Sequence, residues 1–208
     1  MLNDTATAPS PTLHRVQRLQ TLTIVWMSVE TLVALAAAWT AHSPALLGFG
    51  GDSAVELLSA TVVLWRFRSN SDRALAEKWA ARIAGGLLFV VAAFVVTTSI
   101  LSLLGVRQPQ PSFIGIALLI VAAIGMPWLA RQKRKLATQT ASAALRADAA
   151  ESALCGYLAT IALAGLLANA FFHVPWADPL AALLLVPFVA KEAYEALRAD
   201  RPCCTTCL

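Results

Sequence analysis

The chain has 208 residues, 58% of them hydrophobic and 13% charged, with a mean hydropathy of +0.67. A soluble domain carries about twice that charged fraction, which excludes a cytosolic enzyme as the starting reading. The formal charge of +4 comes from short basic blocks between apolar stretches and not from one basic face, which argues against a nucleic-acid partner.

Crossing a bilayer as a helix takes roughly 20 apolar residues. Six such segments follow one another, at residues 20–41, 43–65, 80–105, 112–130, 147–172 and 179–197. They predict an all-α integral membrane bundle of six transmembrane helices, because a helix satisfies its own backbone in lipid. The period-2 alternation of a membrane β-barrel is absent. Breakers stand in the connectors: Ser43-Pro44, Pro109 and Pro111, Pro175 and Asp178-Pro179. The expected organisation is a mobile N-terminal tail over 1–14, the six-helix domain over 15–198 and a Cys-containing tail over 199–208. The first apolar run, which follows Arg15 and Arg18 and ends in Ala34–Ala41, has the outline of a signal peptide. It is longer than the usual apolar core of about 7–15 residues, and it contains Glu30.

Fifteen of the 16 Lys and Arg residues fall before the first span, in the second and fourth connectors, or at the end of the sixth span, and Arg107 alone falls on the other side. That asymmetry predicts cytoplasmic termini. A bacterial inner membrane is the expected location. Trp26, Trp39, Trp65, Trp79, Trp128 and Trp176 lie mainly toward span ends, as interfacial anchors do.

Five acidic residues are read as intramembrane: Glu30, Asp52, Glu56, Asp148 and Glu151. No Lys or Arg is expected deep in a span to pair with them. A charged side chain near the bilayer centre costs about 2.5–3.5 kcal/mol on insertion scales, so five of them point to protonation or to a visiting cation. Asp52 and Glu56, at i and i+4, share one face of the second span; Asp148, Glu151 and Cys155, at i, i+3 and i+7, share one face of the fifth. If those helices are neighbours, Asp52, Glu56, Glu151 and Cys155 supply the four donors of a zinc-type site. The competing reading makes Cys155 a small buried hydrophobe. Gly48-Phe49-Gly50-Gly51, just before Asp52, permits either close helix packing or flexing.

The runs HSPALLGFGGDSAVELLSA (42–60), ALRADAAESALCGYLATIAL (144–163) and WADPLAALLLVPFVAKEAYEAL (176–197) resemble the second, fifth and sixth helices of the cation diffusion facilitators. The resemblance covers the transmembrane domain and implies a divalent-metal exporter, commonly for zinc, that exchanges metal for protons and works as a homodimer. It assigns the ion to Asp52, Glu56, Glu151 and Cys155. The family's second-helix pair is Asp or His followed by Asp, so Glu56 is a conservative departure. Its fifth-helix pair is His followed by Asp, in the context Ala-Asp-x-x-His; here Ala147-Asp148-Ala149-Ala150 leads into Glu151, and Cys155 takes the last place. A thiolate favours Zn²⁺, Cd²⁺ or Hg²⁺ over Mg²⁺ or Mn²⁺. Typical members continue into a cytoplasmic metal-binding domain, whereas residues 199–208 alone follow the sixth span here, so dimerisation is expected without it.

Cys203, Cys204 and Cys207 form a Cys-Cys-x-x-Cys cluster on the side where thiols stay reduced, suited to capturing a soft metal; lipid attachment or no role are the alternatives. Glu30 fits a proton or access route, or a packing role. His14, His42 and His173 read as solvated, and Asp178 before Pro179 as the cap of the sixth helix or, alternatively, a metal-release group. Nucleotide-binding and hydrolase motifs are missing, so the protein is not read as an enzyme. The sequence therefore predicts a transporter of Zn²⁺, with Cd²⁺, Co²⁺, Fe²⁺ and Hg²⁺ as other candidate cargoes and Asp148 as an adjacent polar group. The lipid bilayer, protons and a second copy are its expected partners, and no prosthetic group is expected. The competing class is a membrane metal sensor or accessory subunit with a degenerate site.

Overall fold

The computed structural model describes residues 11–68, 74–106 and 108–198. These form six helices and no strand: α1 (Pro11–Ala41), α2 (Pro44–Arg68), α3 (Ala74–Leu103), α4 (Phe113–Thr140), α5 (Ala143–Phe172) and α6 (Ala177–Arg198). All six apolar segments are helical, and the helices run past the hydropathy limits. α4 continues for ten residues beyond its apolar segment, from residue 130 to Thr140, through the basic stretch that contains Lys133.

α1, α2, α4 and α5 pack as a four-helix group, with α1 against α2 and α4, and α5 against α4 and α2. α3 and α6 pair with each other and lean on the group through α2 and α5. α2 thus touches four other helices. Leu32, Val90, Phe94, Ile124 and Leu184 stand exposed on the outer faces, the reverse of a soluble protein. Among the described residues, four helices contain stretches long and apolar enough, by length and composition, to cross a membrane: His14–Ala41, Gly85–Leu103, Phe113–Thr140 and Leu145–Phe172. The fold is an all-α membrane bundle.

The seams use small residues, since lipid offers helices no hydrophobic drive to associate and close backbone approach must hold them instead. Ala34, Ala37, Ala38, Ala45, Ala159, Ala162, Ala181 and Ala182 are buried. The glycine run before Asp52 lies within continuous helix and serves packing: a Cβ on Gly50 would sit 3.0 Å from Ala34 of α1, and one on Gly51 would sit 2.5 Å from Val91 of α3. Gly165 of α5 meets α6 as tightly, 2.5 Å from the Ala181 Cβ on the same construction.

Serines start three helices. Ser43, Ser112 and Ser142 accept from the backbone N–H groups of Leu46, Gly115 and Leu145 at 3.1, 3.1 and 3.2 Å. The Ser43 hydroxyl also donates to Asp178 Oδ1 at 2.7 Å, and the Asp178 carboxylate accepts from the Ala45 backbone. Asp178 therefore reinforces the start of α2 and does not cap α6, within whose first turn it lies. At the same end of the bundle, Gln110 donates its backbone N–H to Ala41 O at 2.8 Å and Asn169 Nδ2 donates to Pro109 O at 3.0 Å. His42 and His173 are exposed at helix ends in the left-handed region, with φ of 51° and 53°.

Gly165→Val should lower the unfolding stability in detergent by about 1–3 kcal/mol, the range for overpacking a tight seam. Gly86→Ala, where an added Cβ meets nothing within 4 Å, should raise it by about 0.5–1 kcal/mol. Denaturant titration of the two variants checks the pair.

Candidate metal centre

α2 and α5 are in contact, which meets the condition set by the sequence for joining their acidic faces. Asp52 and Glu56, each 4% exposed, lie one turn apart on α2; Asp148, Ser152 and Cys155 are buried on α5, with Glu151 half-buried beside them. The carboxylates whose charge acts on Asp52 are those of Glu192, Glu56 and Glu151. Those acting on the Cys155 thiol are Glu56, Glu30 and Asp52. All four sequence-derived candidates thus share one neighbourhood, although among the described residues no three His, Cys, Asp or Glu side chains enclose an ion. The donor set of carboxylates and one thiol suits a divalent transition metal.

The bundle holds a cation that the sequence reading did not expect. Lys133, wholly buried, lies 3.0 Å from Asp148 Oδ2 and 3.9 Å from Glu56 Oε1, and it donates to Ser152 Oγ at 2.7 Å. The absence of Lys or Arg deep in a span is therefore corrected. Lys133 lies past the apolar part of α4, but the helix continues and its long stem carries the ammonium to the α2–α5 seam. Ser152 in turn donates to Glu56 Oε1 at 2.6 Å, and Gln20 Nε2 of α1 donates to Asp148 Oδ2 at 2.7 Å. Asp148 is consequently the anchor of an ion pair, adjacent to the candidate ligands.

Glu30 is a second anchor. Its Oε2 accepts from Trp26 Nε1 at 2.6 Å, and its Oε1 accepts from Ser53 Oγ at 2.8 Å and from Cys155 Sγ at 3.6 Å. Trp26 is therefore turned inward, unlike Trp39, Trp128 and Trp176, which are 83%, 53% and 57% exposed. α6 adds Glu192, whose carboxyl is hydrogen-bonded with that of Asp52. Glu192 lies within the sixth apolar segment, next to Lys191, and is not among the five acids read as intramembrane. The face it shares with buried Val189 and Leu185, at i−3 and i−7, was the signal available. Gly156, next to Cys155, brings α5 against α4 at Pro127, where a Cβ would sit 2.9 Å from the proline Cδ. Cys203, Cys204 and Cys207 lie outside the described residues.

The model of the cation efflux transmembrane domain matches residues 21–201. The chain belongs to the cation efflux family. That family transports metal cations and is not enzymatic, so the chain is a multi-pass membrane protein whose surroundings are lipid and whose ligands are metal cations. A search of curated proteins finds no matching relative.

Removing one partner of a buried ion pair costs about 3–5 kcal/mol, because the other charge is left uncompensated. Lys133→Met should lose stability on that scale, and Lys133→Met with Asp148→Asn should recover a large part of the loss. Unfolding of the single and double variants in mixed detergent micelles measures both; equal losses would show that the pair is not coupled.

Proposed function

We propose that this cation efflux protein exports Zn²⁺, or a softer relative such as Cd²⁺ or Hg²⁺, from the cytoplasm in exchange for protons. Co²⁺ and Fe²⁺ are weaker candidates, because they gain less from a thiolate. The reading is carried by one observation: Asp52, Glu56 and Cys155 are buried in one neighbourhood at the α2–α5 seam, where carboxylates without a visiting cation are costly. Metal reaches Asp52, Glu56, Glu151 and Cys155 from the basic, cytoplasmic end, with Asp148 beside them. When the bundle opens outward, protons compete for the carboxylates and the thiolate and expel the ion. Cytoplasmic termini follow from the distribution of basic residues. The working unit is a homodimer in a bacterial cytoplasmic membrane. Capture of incoming metal by Cys203, Cys204 and Cys207 belongs to the same reading.

One observation favours a second reading, a sensor or accessory subunit. The Lys133 ammonium already offsets Glu56 and Asp148 without metal, as a site that had ceased to move ions would need.

Metal flux into liposomes holding the purified protein, under an imposed proton gradient, separates the two. Saturable Zn²⁺ or Cd²⁺ flux that Asp52→Ala reduces at least a hundredfold is the expected result. Folded protein that moves none of Zn²⁺, Cd²⁺, Co²⁺, Fe²⁺ or Hg²⁺ would transfer the assignment to the second reading.

A further inference from the structure

The four donors assigned above come from α2 and α5, yet the Cys155 thiol, besides interacting with Glu56 of α2, donates to Glu30 of α1. Glu30 is wholly buried, and among the described residues no Lys or Arg pairs with it. Its hydrogen bonds come from Trp26, Ser53 and Cys155, all neutral donors, in contrast to Asp148, which has Lys133. A carboxylate so placed is oriented without its charge being balanced.

The Glu30 Oε1 to Cys155 Sγ distance is 3.6 Å. For a tetrahedral zinc-type ion with metal–oxygen bonds of about 2.1 Å and metal–sulfur bonds of about 2.3 Å, the oxygen-to-sulfur edge of the coordination shell is about 3.6 Å. The two side chains therefore already stand at the separation that two ligands of one ion adopt. Glu56 comes near the same thiol, although in this structure the three side chains do not enclose an ion. Glu56 is 4% exposed, its Oε2 has no hydrogen-bond partner, and it heads the carboxylates whose charge acts on the Cys155 thiol. Trp26 and Ser53 then serve Glu30 as orienting groups, as hydrogen-bonded outer partners serve metal-binding carboxylates in general.

We propose that Glu30 is a direct ligand of the cargo ion, so that α1 contributes to the metal site together with α2 and α5. The proposal rests on the reading of Asp52, Glu56 and Cys155 as that site. It gives α1 a part in transport: an ion held by Glu30 and Cys155 ties α1 to α5, and any movement that separates these helices breaks the site.

Co²⁺ is the probe, added to the purified full chain with Cys203, Cys204 and Cys207 replaced by Ser, so that Cys155 is the one remaining thiol. The parent protein should show a thiolate-to-cobalt charge-transfer band and intense d–d bands of a tetrahedral centre. Glu30→Gln should keep the charge-transfer band, shift the d–d bands and weaken Co²⁺ binding at least tenfold, and Glu30→Asp, which keeps the carboxylate on a shorter stem, should fall between. Unchanged affinity and d–d bands in Glu30→Gln would overturn the proposal. So would a loss of metal-free stability with an unchanged spectrum, which would assign Glu30 to packing. Absence of the thiolate band from the parent itself would instead overturn the placing of the metal at Cys155, before Glu30 is tested.

Discussion

The structure is governed by the need to hold buried carboxylates within a bundle surrounded by lipid. Glu30, Asp52, Glu56, Asp148 and Glu192 lie between helices, where water does not offset their charge. Each is met differently. Asp148 has an ammonium and an amide, Glu56 has a serine and the edge of the same ammonium, Glu30 has an indole, a hydroxyl and a thiol, and Asp52 and Glu192 have each other. The charge is balanced by Lys133 toward the basic end and left unbalanced near Cys155. The proposed cargo ion would supply the missing positive charge there.

The rest of the fold supplies the geometry for that arrangement. Close approach at Gly50, Gly51 and Gly156 brings α1, α3 and α4 near the residues that follow Gly51 and flank Gly156, and these are Asp52 and Cys155. At the other end, Ser43, Asp178, Asn169 and Gln110 join the connectors by hydrogen bonds, which sets the depth at which α2 and α5 present their acids. Packing of small residues and polar contacts between helices are the forces that remain in lipid, and both are concentrated on α2 and its neighbours.

Much of this was legible from hydropathy and helical spacing. Six apolar runs became six helices, and residues four apart on α2 shared a buried face, because both properties follow from local chain geometry. What was hidden depended on tertiary placement. Lys133 lies in the Arg-Gln-Lys-Arg-Lys stretch that reads as a cytoplasmic loop, and only its position on the inward face of a continuing helix distinguishes it from exposed Arg134 and Lys135. Asp178 matched the pattern of a helix cap, but the side chain reaches across to Ser43 and Ala45, a contact that no local pattern encodes. Glu192 and the turn of Trp26 toward Glu30 were obscured in the same way.

X-ray absorption at the zinc edge of the metal-loaded protein, with Cys203, Cys204 and Cys207 replaced by Ser, tests the central claim most directly. The account predicts one sulfur at about 2.3 Å with the remaining ligands oxygen at about 2.0–2.2 Å, and loss of the sulfur in Cys155→Ala. A first shell without sulfur, or one that Cys155→Ala leaves unchanged, would contradict it.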